Sequence, residues 1–473
     1  MERIYFDKQV FSHLFKGVDP IYQQFLSDLY ANKHNFLYCY SHGHMLDLKT
    51  DKTDIKFKEL EFIETLVGDN YLSYHAIEKK TNPYLVRPLD AFKDTENTED
   101  FSLTNFFENI DLSYATQEQK EQFAKAREIL TRQNIDIGLS KLQNLPEDIS
   151  SVLSKILPLG ASEMSIMELA EYIMGKLKLL EEDKTVYKDL RNIVDLNIND
   201  GKYTVEYDNI DFNDDLKNSV LQKSFTDYVN ANLNPNGDKV ISNYDFFIKA
   251  YFTLDLLGIS KEPSKNVRFR NVMNDGYHGY YGAFCDYVVS EDQGFLKKTR
   301  AMYRLLNIQT KVIHIDEFIP FFKILSNNFE QSTDIFFDLI NNDLKSGLVL
   351  ESKPSIRYNR QTTTIKPAAN YLGYFNRIDR IKQSGQDFIL LSRTTHNYSY
   401  FSFYREYEGV VNKAVKLFGP DIVFKGKYDW PGENKEINDH IWAGRFWDLG
   451  KITVLLEINK GTEELCLQIT NLS

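Results

Sequence analysis

The segment that most constrains the fold is a strand, helix and strand pattern in the second half of the chain. Tyr287 to Ser290 is a short apolar run that predicts a strand, and the apolar spacing from about Phe295 to Leu306 predicts a helix. Lys311 to Ile315 predicts the next strand. Two strands joined by a helix form a parallel βαβ unit, and open sheets built from such units bind ligands beyond the carboxyl ends of their strands. The pattern therefore predicts an α/β fold, with Asp292 at one of those strand ends.

Two further strands are predicted near the start of the chain. Arg3 to Phe6 is a short apolar run that ends at Asp7, and apolar residues at helical spacing follow it. Asn35 to Tyr40 is the second run, and Ser41 after it is a favourable cap for a helix that carries Asp47. Asp7 and Asp47 are therefore expected near the ends of two strands.

Another helix is predicted just before the βαβ unit. It is expected to begin at Asn274-Asp275, because Tyr277, Tyr281 and Phe284 follow at helical spacing, and to end at Asp286. The sequence thus places a third and a fourth acid, Asp275 and Asp286, beside the predicted sheet.

The chain of 473 residues is too long for one ordinary core, so several domains are expected. Long acidic and amphipathic stretches in the middle predict a mainly helical insertion, and alternating patterns after Ser346 predict strands, among them Tyr398 to Phe403. The predicted divisions are 1–93 and 244–325 for the two halves of an α/β domain, 94–243 for the insertion, and 326–473 for a C-terminal α+β domain.

Composition narrows the possible function classes. The formal net charge of −12 argues against a broad basic surface for nucleic acid, although it leaves room for a local basic groove. The three cysteines are scattered in apolar contexts, which favours buried thiols over disulfides or metal ligands. There is no run of eighteen apolar residues, so we expect a cytoplasmic protein that does not enter a membrane.

Four acids stand out because each falls at a strand end or in the first turns of a helix, where α/β domains collect functional side chains: Asp7, Asp47, Asp275 and Asp292. Carboxylates gathered on one rim repel each other, and divalent cations relieve that repulsion. Hard oxygen ligands suit Mg²⁺ or Mn²⁺, and no Cys/His zinc spacing is present. The alternative is that such acids only cap helices, a role that contributes about 1 kcal/mol.

These segments resemble the PIN-like nuclease domains. The resemblance lies in the strand that ends at Asp7, in YSHGHMLDL from Tyr40 to Leu48, and in NDGYH with CDYVVSEDQGFLKK from Asn274 to Lys298. It implies a central parallel sheet flanked by helices and a metal-dependent nuclease that cleaves RNA or occasionally DNA. The implied ligands are Asp7, Asp47, Asp275 and Asp292 as the first to last acids, with Asp286 as a possible fifth. Two departures are that Asp47 stands where Glu is common and that a large insertion separates the two halves.

Other residues near the acids have two interpretations each. His44 and His278 accompany Asp47 and Asp275 on predicted helices, so they could contact phosphate or serve as buried structural residues. Lys297 and Lys298 follow Asp292 and could hold a nucleic-acid backbone, or they could be solvated surface. The C-terminal aromatics could stack on bases, but core packing is the favoured interpretation: Trp430, Trp442, Phe446 and Trp447.

Two function classes are therefore carried forward. The first is a divalent-metal-dependent ribonuclease, and proteins that join a PIN-like domain to unrelated domains resemble bacterial toxins or antiviral defence effectors. Its insertion or C-terminal domain would then control access or bind a regulatory protein. The second is a catalytically silent PIN-like scaffold or binding protein, for which the net charge of −12 is the main argument.

Overall fold

The protein is described from a computed structural model of the chain. The structure describes residues 1–97, 112–136, 146–159, 161–197, 212–218, 221–257, 268–326, 332–355, 359–383, 386–459 and 464–470. The strands are β1 (Glu2–Phe6), β2 (Phe36–Ser41), β3 (Asn70–His75), β4 (Lys80–Leu85), β5 (Asn134–Asp136), β6 (Glu163–Ser165), β7 (Tyr287–Ser290), β8 (Lys311–His314), β9 (Leu348–Ser355), β10 (Arg360–Lys366), β11 (Arg377–Gln383), β12 (Gln386–Ser392), β13 (Arg445–Asp448), β14 (Thr453–Ile458) and β15 (Leu465–Thr470).

The helices, in chain order, are α1 (Lys8–Lys16), α2 (Pro20–Ala31), α3 (His42–Thr50), α4 (Ile55–Val67), α5 (Pro88–Asn97), α6 (Gln117–Arg132), α7 (Glu147–Leu153), α8 (Ile166–Glu182), α9 (Lys184–Asn197), α10 (Phe212–Asp215), α11 (Phe225–Leu233), α12 (Asn243–Leu256), α13 (Phe269–Gly282), α14 (Gln293–Leu305), α15 (Ile315–Ser326), α16 (Thr333–Ser346), α17 (Tyr404–Phe418) and α18 (Trp430–Asn438). A single 3₁₀ turn at Leu216–Asn218 follows α10.

By its internal contacts the chain forms two compact units. One comprises Met1–Phe92 and His278–Ser473, and the other comprises Lys93–Tyr277. The second unit is mainly helical among its described residues and has one small antiparallel pair, β5 with β6. The four-part division expected from sequence groups residues by their predicted fold, whereas these two units are defined by contacts. The expected boundaries therefore stay a prediction.

The first unit contains a mixed six-stranded sheet in the order β4-β3-β2-β1-β7-β8. All neighbouring pairs are parallel except β3 with β4, which form an antiparallel hairpin at one edge. The chain leaves β1 toward β2 on one side and returns to β7 on the other, so the strand order reverses between β1 and β7. Ligands in open α/β sheets bind in the crevice at such a reversal, outside the carboxyl ends of the strands.

The faces of the central strands separate apolar from polar side chains. Successive residues of a strand point to opposite faces, so Ile4 and Phe6 of β1 enter the apolar core with residues of the flanking helices, such as Phe318 of α15. Arg3, Tyr5 and Asp7 alternate with them and share the other face. One strand therefore builds a core on one face and a row of polar groups on the other.

A separate antiparallel sheet of seven strands lies in the C-terminal part of the first unit, in the order β13-β14-β15-β12-β11-β10-β9. It has its own apolar core, which contains Phe336 of α16, Val410 of α17 and Trp447 of β13. The expected mixed α/β architecture, with a parallel-containing sheet flanked by helices and a second sheet in the C-terminal region, is thus confirmed at this level.

A buried ion-pair cluster joins the two sheets of the first unit. Arg3 of β1 donates to both carboxylate oxygens of Glu406 at 2.9 and 2.7 Å, and both side chains are fully buried. Arg393 bridges Glu406 and Asp286 at 3.0 and 2.7 Å. Each buried charge has an opposite partner, which is the condition under which buried charges are tolerated.

Two local expectations were wrong. The helix expected to begin at Asn274 begins five residues earlier, at Phe269. Tyr398 to Phe403 forms no strand, because the Phe401 carbonyl accepts from Arg3 and the aromatic rings pack on Phe284 and Tyr280.

Other expectations for the chain are confirmed. The strands β1, β2, β7 and β8 and the helix α14 each lie within two residues of their expected bounds. All three cysteines are free and buried. Within the described ranges, no helix combines the length and apolar character that crossing a membrane requires.

Candidate metal centre

Two carboxylates and one imidazole converge at the carboxyl edge of the parallel strands. Asp7 follows β1, Asp47 lies on α3 after β2, and His278 lies on α13 before β7. One potential ligand atom from each of these three residues lies within 4.8 Å of the other two. The sequence predicted Asp7 and Asp47 as metal ligands, whereas it proposed His278 only as a weak substrate contact.

Asp7 is held in place by the neighbouring strand. Its backbone N–H donates to the Val289 carbonyl at 2.9 Å, and its carboxylate accepts from Ser290 Oγ at 2.6 Å. Asp7 also precedes α1, but its side chain makes no capping hydrogen bond there. Burial raises the pKa of Asp7, and Asp47 and Asp292 raise it further, while His278 and the Ser290 hydrogen bond oppose that rise. A cation beside Asp7 would favour its charged form.

His278 connects Asp47 to the polar face of β1. Its side chain is only 2% exposed, and Nε2 lies 2.9 Å from Asp47 Oδ2, while Nδ1 lies 2.8 Å from the Tyr5 hydroxyl. The Tyr5 hydroxyl also lies 2.6 Å from Ser41 Oγ. Burial raises the pKa of Tyr5, so its hydroxyl keeps its proton and can donate to Nδ1. Nε2–H then donates to the Asp47 carboxylate.

Gly43 allows the close approach of α3 to this imidazole. A Cβ at position 43 would lie 3.2 Å from His278 Cε1 and 3.3 Å from Nδ1, which is tighter than most real contacts. The absence of a side chain at Gly43 therefore lets Asp47, one turn later on α3, reach His278.

His44 is a structural residue of the same helix. It is fully buried, its Nδ1 accepts from the Ser41 N–H at 3.1 Å, and its Nε2 lies 2.8 Å from the Phe6 carbonyl. Because Nδ1 is an acceptor, Nε2 carries the proton and donates to that carbonyl. Burial and the neighbouring His278 lower the pKa of His44 to about 3, so it stays neutral. Its contacts favour the structural interpretation over contact with substrate.

Asp292 lies beside this group and caps a helix at the same time. Its carboxylate accepts from the Phe295 N–H at 3.0 Å at the start of α14, and its own N–H donates to Ser290 Oγ at 3.0 Å. Since Ser290 also donates to Asp7, one serine connects the two acids. Lys297, one turn later, is exposed, whereas Lys298 is buried.

The two remaining predicted acids are placed differently. Asp286 precedes β7, at the amino edge of the sheet, where it accepts from the Arg3 N–H and from Arg393 at 2.7 Å each. The structure does not bring Asp286 to the group of three. Asp275 belongs to the Lys93–Tyr277 unit and lies on α13, three residues before His278.

Sequence reasoning missed three residues that organise the centre, namely Tyr5, Ser41 and Ser290. A signal was present, because each is a polar residue within or at the end of a strand whose neighbours are buried. Such positions require partners, and here the partners are the predicted site residues themselves.

The aromatic residues of the C-terminal region serve its own packing. Trp447 is buried and donates to the Gly419 carbonyl at 2.8 Å, and Trp442 donates to Glu433 at 3.1 Å. These contacts favour core packing over base stacking for both side chains.

Comparisons of the chain with protein-family models, with curated proteins and with solved structures found no match. The geometry at the sheet edge is therefore the main argument for a function.

Proposed function

We propose that this protein is a divalent-metal-dependent nuclease with its active site at the carboxyl edge of the parallel strands. The observation that supports the proposal best is the convergence of Asp7, Asp47 and His278 within 4.8 Å, at the reversal of strand order. Asp292 approaches closely enough to raise the pKa of Asp7. A bound divalent cation would offset the repulsion between these neighbouring carboxylates.

The donor set fits a divalent cation. Asp7 and Asp47 supply oxygen ligands, and His278 would supply Nε2 in the neutral tautomer that carries its proton on Nδ1, where the Tyr5 hydroxyl oxygen would accept it. A bound cation would lower the pKa of a water and stabilise the charge that develops on a phosphodiester. Tyr5 would orient the imidazole from its Nδ1 side, in the way that outer hydrogen bonds orient metal-bound histidines. Ser290 would hold the Asp7 carboxylate in place.

The imidazole distinguishes between the two cations expected from sequence. Mg²⁺ prefers oxygen ligands and retains its waters, whereas imidazole is a better ligand for transition-metal ions. We therefore propose Mn²⁺ as the preferred cofactor, with Mg²⁺ binding more weakly.

The choice of RNA as the substrate rests on the resemblance to PIN-like nucleases. Two features of the structure are compatible with a nucleic-acid backbone, namely the edge position of the acids and the exposed Lys297 on α14. The same resemblance supports a role as a bacterial toxin or antiviral defence effector. A regulatory protein that binds the insertion or the C-terminal region would then set its activity.

Metal binding and cleavage test this proposal together. Electron paramagnetic resonance should detect Mn²⁺ bound to the wild type, and Asp7→Asn should weaken that binding strongly. Cleavage of a mixed panel of RNA and single-stranded DNA should require Mn²⁺ or Mg²⁺ and stop with EDTA. The matched control is Asp54→Asn, which removes the same charge from an exposed acid that makes no capping bond at the start of α4.

The second candidate is the silent scaffold, and one observation favours it. The Asp47–His278 pair is already complete without a cation, since the imidazole and the carboxylate satisfy each other at 2.9 Å. A wild type that binds no Mn²⁺, or that cleaves equally well in EDTA, would contradict the nuclease proposal. Absence of Mn²⁺ binding would favour the scaffold.

A further inference from the structure

The seven-stranded antiparallel sheet has an open edge at β9. Among the strands that the structure describes, β9 pairs with β10 alone, and seven of its eight residues are exposed. Three of these are consecutive apolar residues, namely Leu348, Val349 and Leu350, which are 63%, 54% and 58% exposed. An exposed edge strand presents N–H and C=O groups that can pair with another strand, and exposed apolar residues beside them favour such pairing.

The part of β9 from Glu351 to Ser355 is the part that a further strand can follow. The register of β9 against β10 shifts at Leu350 and is regular from Glu351 onward. Alternate residues of a regular strand lie on the same face, so Glu351 and Lys353 share one face. Within the chain, Lys353 Nζ lies 2.5 Å from Glu351 Oε1, which agrees with this placement. The open edge therefore carries one negative and one positive charge on a single face.

Two residues of this edge oppose pairing with most strands. Lys353 belongs to the class of residue that protects edge strands, because its charge requires a counter-charge when another strand covers it. Pro354 has no N–H to donate, so it limits the length of a shared ladder. A strand that pairs here must therefore place a negative charge opposite Lys353 and form only a short ladder.

A second copy of β9 meets both conditions. Two identical strands that pair antiparallel are related by a two-fold axis, and opposite residues point to the same face, so the axis passes through a residue and not between two residues. An axis at Glu351 would place two glutamates opposite each other, and an axis at Lys353 would do the same with two lysines. An axis at Pro354 would put the residue that lacks a donor at the centre. An axis at Ser352 places Glu351 opposite the partner's Lys353, twice.

We propose that β9 is a dimerisation strand, which pairs antiparallel with β9 of a second copy of this chain about a two-fold axis at Ser352. Two Glu351–Lys353 pairs then cross the interface, and opposite charges at directly opposed positions stabilise strand pairing. Leu350 lies beside the partner's Pro354, which covers part of the exposed apolar stretch. Because each chain uses the same edge, the assembly closes at two copies. The inference is independent of the candidate metal centre and of nuclease activity.

Sedimentation velocity of the full-length protein tests the association. The wild type should change reversibly from monomer to dimer, with a dissociation constant of about 1–100 μM, because the shared ladder is short and the interface is small. Species larger than a dimer should be absent, since the dimer leaves no β9 edge open.

Charge reversal tests the register. Glu351→Lys alone opposes lysines at both crossing positions, and Lys353→Glu alone opposes glutamates, so each should weaken dimerisation by at least about tenfold. The double variant Glu351→Lys/Lys353→Glu restores opposite charges and should dimerise within about threefold of the wild type. A mixture of the two single variants should form a heterodimer, because every crossing pair is then a lysine with a glutamate. Recovery in the mixture also shows that both single variants are folded.

The matched control is Lys451→Glu, which makes the same charge change as Lys353→Glu. Lys451 is exposed in the turn between β13 and β14, and β13 is the opposite edge strand of the same sheet. This variant should dimerise as the wild type does. A wild type that stays monomeric up to about 200 μM overturns the proposal. It is also overturned if Lys451→Glu weakens association as much as Lys353→Glu does, if the single variants dimerise normally, or if neither the double variant nor the mixture recovers association.

Discussion

Replacing Asp292 separates its structural role from its proposed chemical role. The carboxylate accepts from the Phe295 N–H at 3.0 Å and so caps α14. Asn caps helices as well as Asp does, whereas losing a cap to Ala costs about 1 kcal/mol. Asp292→Asn should therefore change the free energy of unfolding by only a few tenths of a kcal/mol. Asp292→Ala should lower the melting temperature by about 1–2 °C, because the shift per kcal/mol becomes smaller as the folding unit becomes larger.

The cleavage activity of the two variants should depend on the loss of the negative charge and not on the loss of the helix cap. Both remove a negative charge next to Asp7, so both should lower metal-dependent cleavage by about a hundredfold or more under the nuclease proposal. The pKa of Asp7 should also fall in Asp292→Asn, because the Asp292 carboxylate is one of the groups that raise it. That change can be followed by NMR of the Asp7 carboxyl without any assay of activity.

The control for this experiment is another capped helix. Asp19 accepts from the Ile21 N–H at 2.8 Å at the start of α2, and Asp19→Asn removes the same charge from a cap outside the group of three. It should leave both the melting temperature and cleavage unchanged. Full metal-dependent activity in Asp292→Asn, or a loss of stability in that variant equal to the loss in Asp292→Ala, would refute the reasoning.

Three further changes test the surroundings of the centre. Tyr5→Phe leaves the buried His278 Nδ1 without its partner, so it should destabilise the protein by about 1–3 kcal/mol in urea and weaken Mn²⁺ binding; unchanged Mn²⁺ affinity would contradict the orienting role. Gly43→Ala should weaken Mn²⁺ binding while circular dichroism stays native, because the new Cβ displaces the imidazole. Glu406→Gln leaves Arg3 buried beside a neutral group and should cost about 3–5 kcal/mol in urea. Burial opposes the ionisation of Glu406, but its arginine partners lower its pKa from 4.5 to about 2. The stabilisation of the fold by ionised Glu406 is fully present above pH 4.5 and is lost as the pH falls toward 2. Acid should therefore lower the melting temperature of the wild type more than that of Glu406→Gln.

The parallel strands could be predicted because their sequences carry a strong local signal. Runs such as Tyr287 to Ser290 are short, apolar and bounded by polar residues, and the strand they form has four buried residues. Strand β3, Asn70–His75, has a weaker signal, since its residues are only partly buried and much of it is polar. Its existence depends on pairing with β2 and β4, and such pairing is not visible in a local window.

The same limit explains the stretch from Tyr398 to Phe403. Its alternating aromatic residues are typical of a strand, but its carbonyl and hydroxyl groups bind Arg3. That arginine is 395 residues earlier in the chain than Tyr398, by subtraction of their numbers. The hydrogen bonds that buried Arg3 requires have therefore outweighed the local preference of this stretch for strand pairing.

The acids of the candidate centre were easier to predict from the sequence than its neutral residues. Asp7 and Asp47 were identifiable because each follows a predicted strand, and the structure brings them together. Asp286 also adjoins a predicted strand, but it stands before β7 and not after it. Four residues of strand at about 3.3 Å each place it roughly 13 Å from the carboxyl edge. Direction along the strand, and not proximity in sequence, decides which acid reaches the site.

The helices that follow the parallel strands favour the acids at the carboxyl edge of the sheet. Asp7 and Asp292 stand at the amino ends of α1 and α14, where the helix dipole favours negative charge and offsets part of their mutual repulsion. At the other edge Arg3 and Arg393 are buried, and their charges are balanced by Glu406 and Asp286. Because β1 carries Arg3 near one end and Asp7 after the other, the buried ion pairs and the candidate metal centre are connected by one strand.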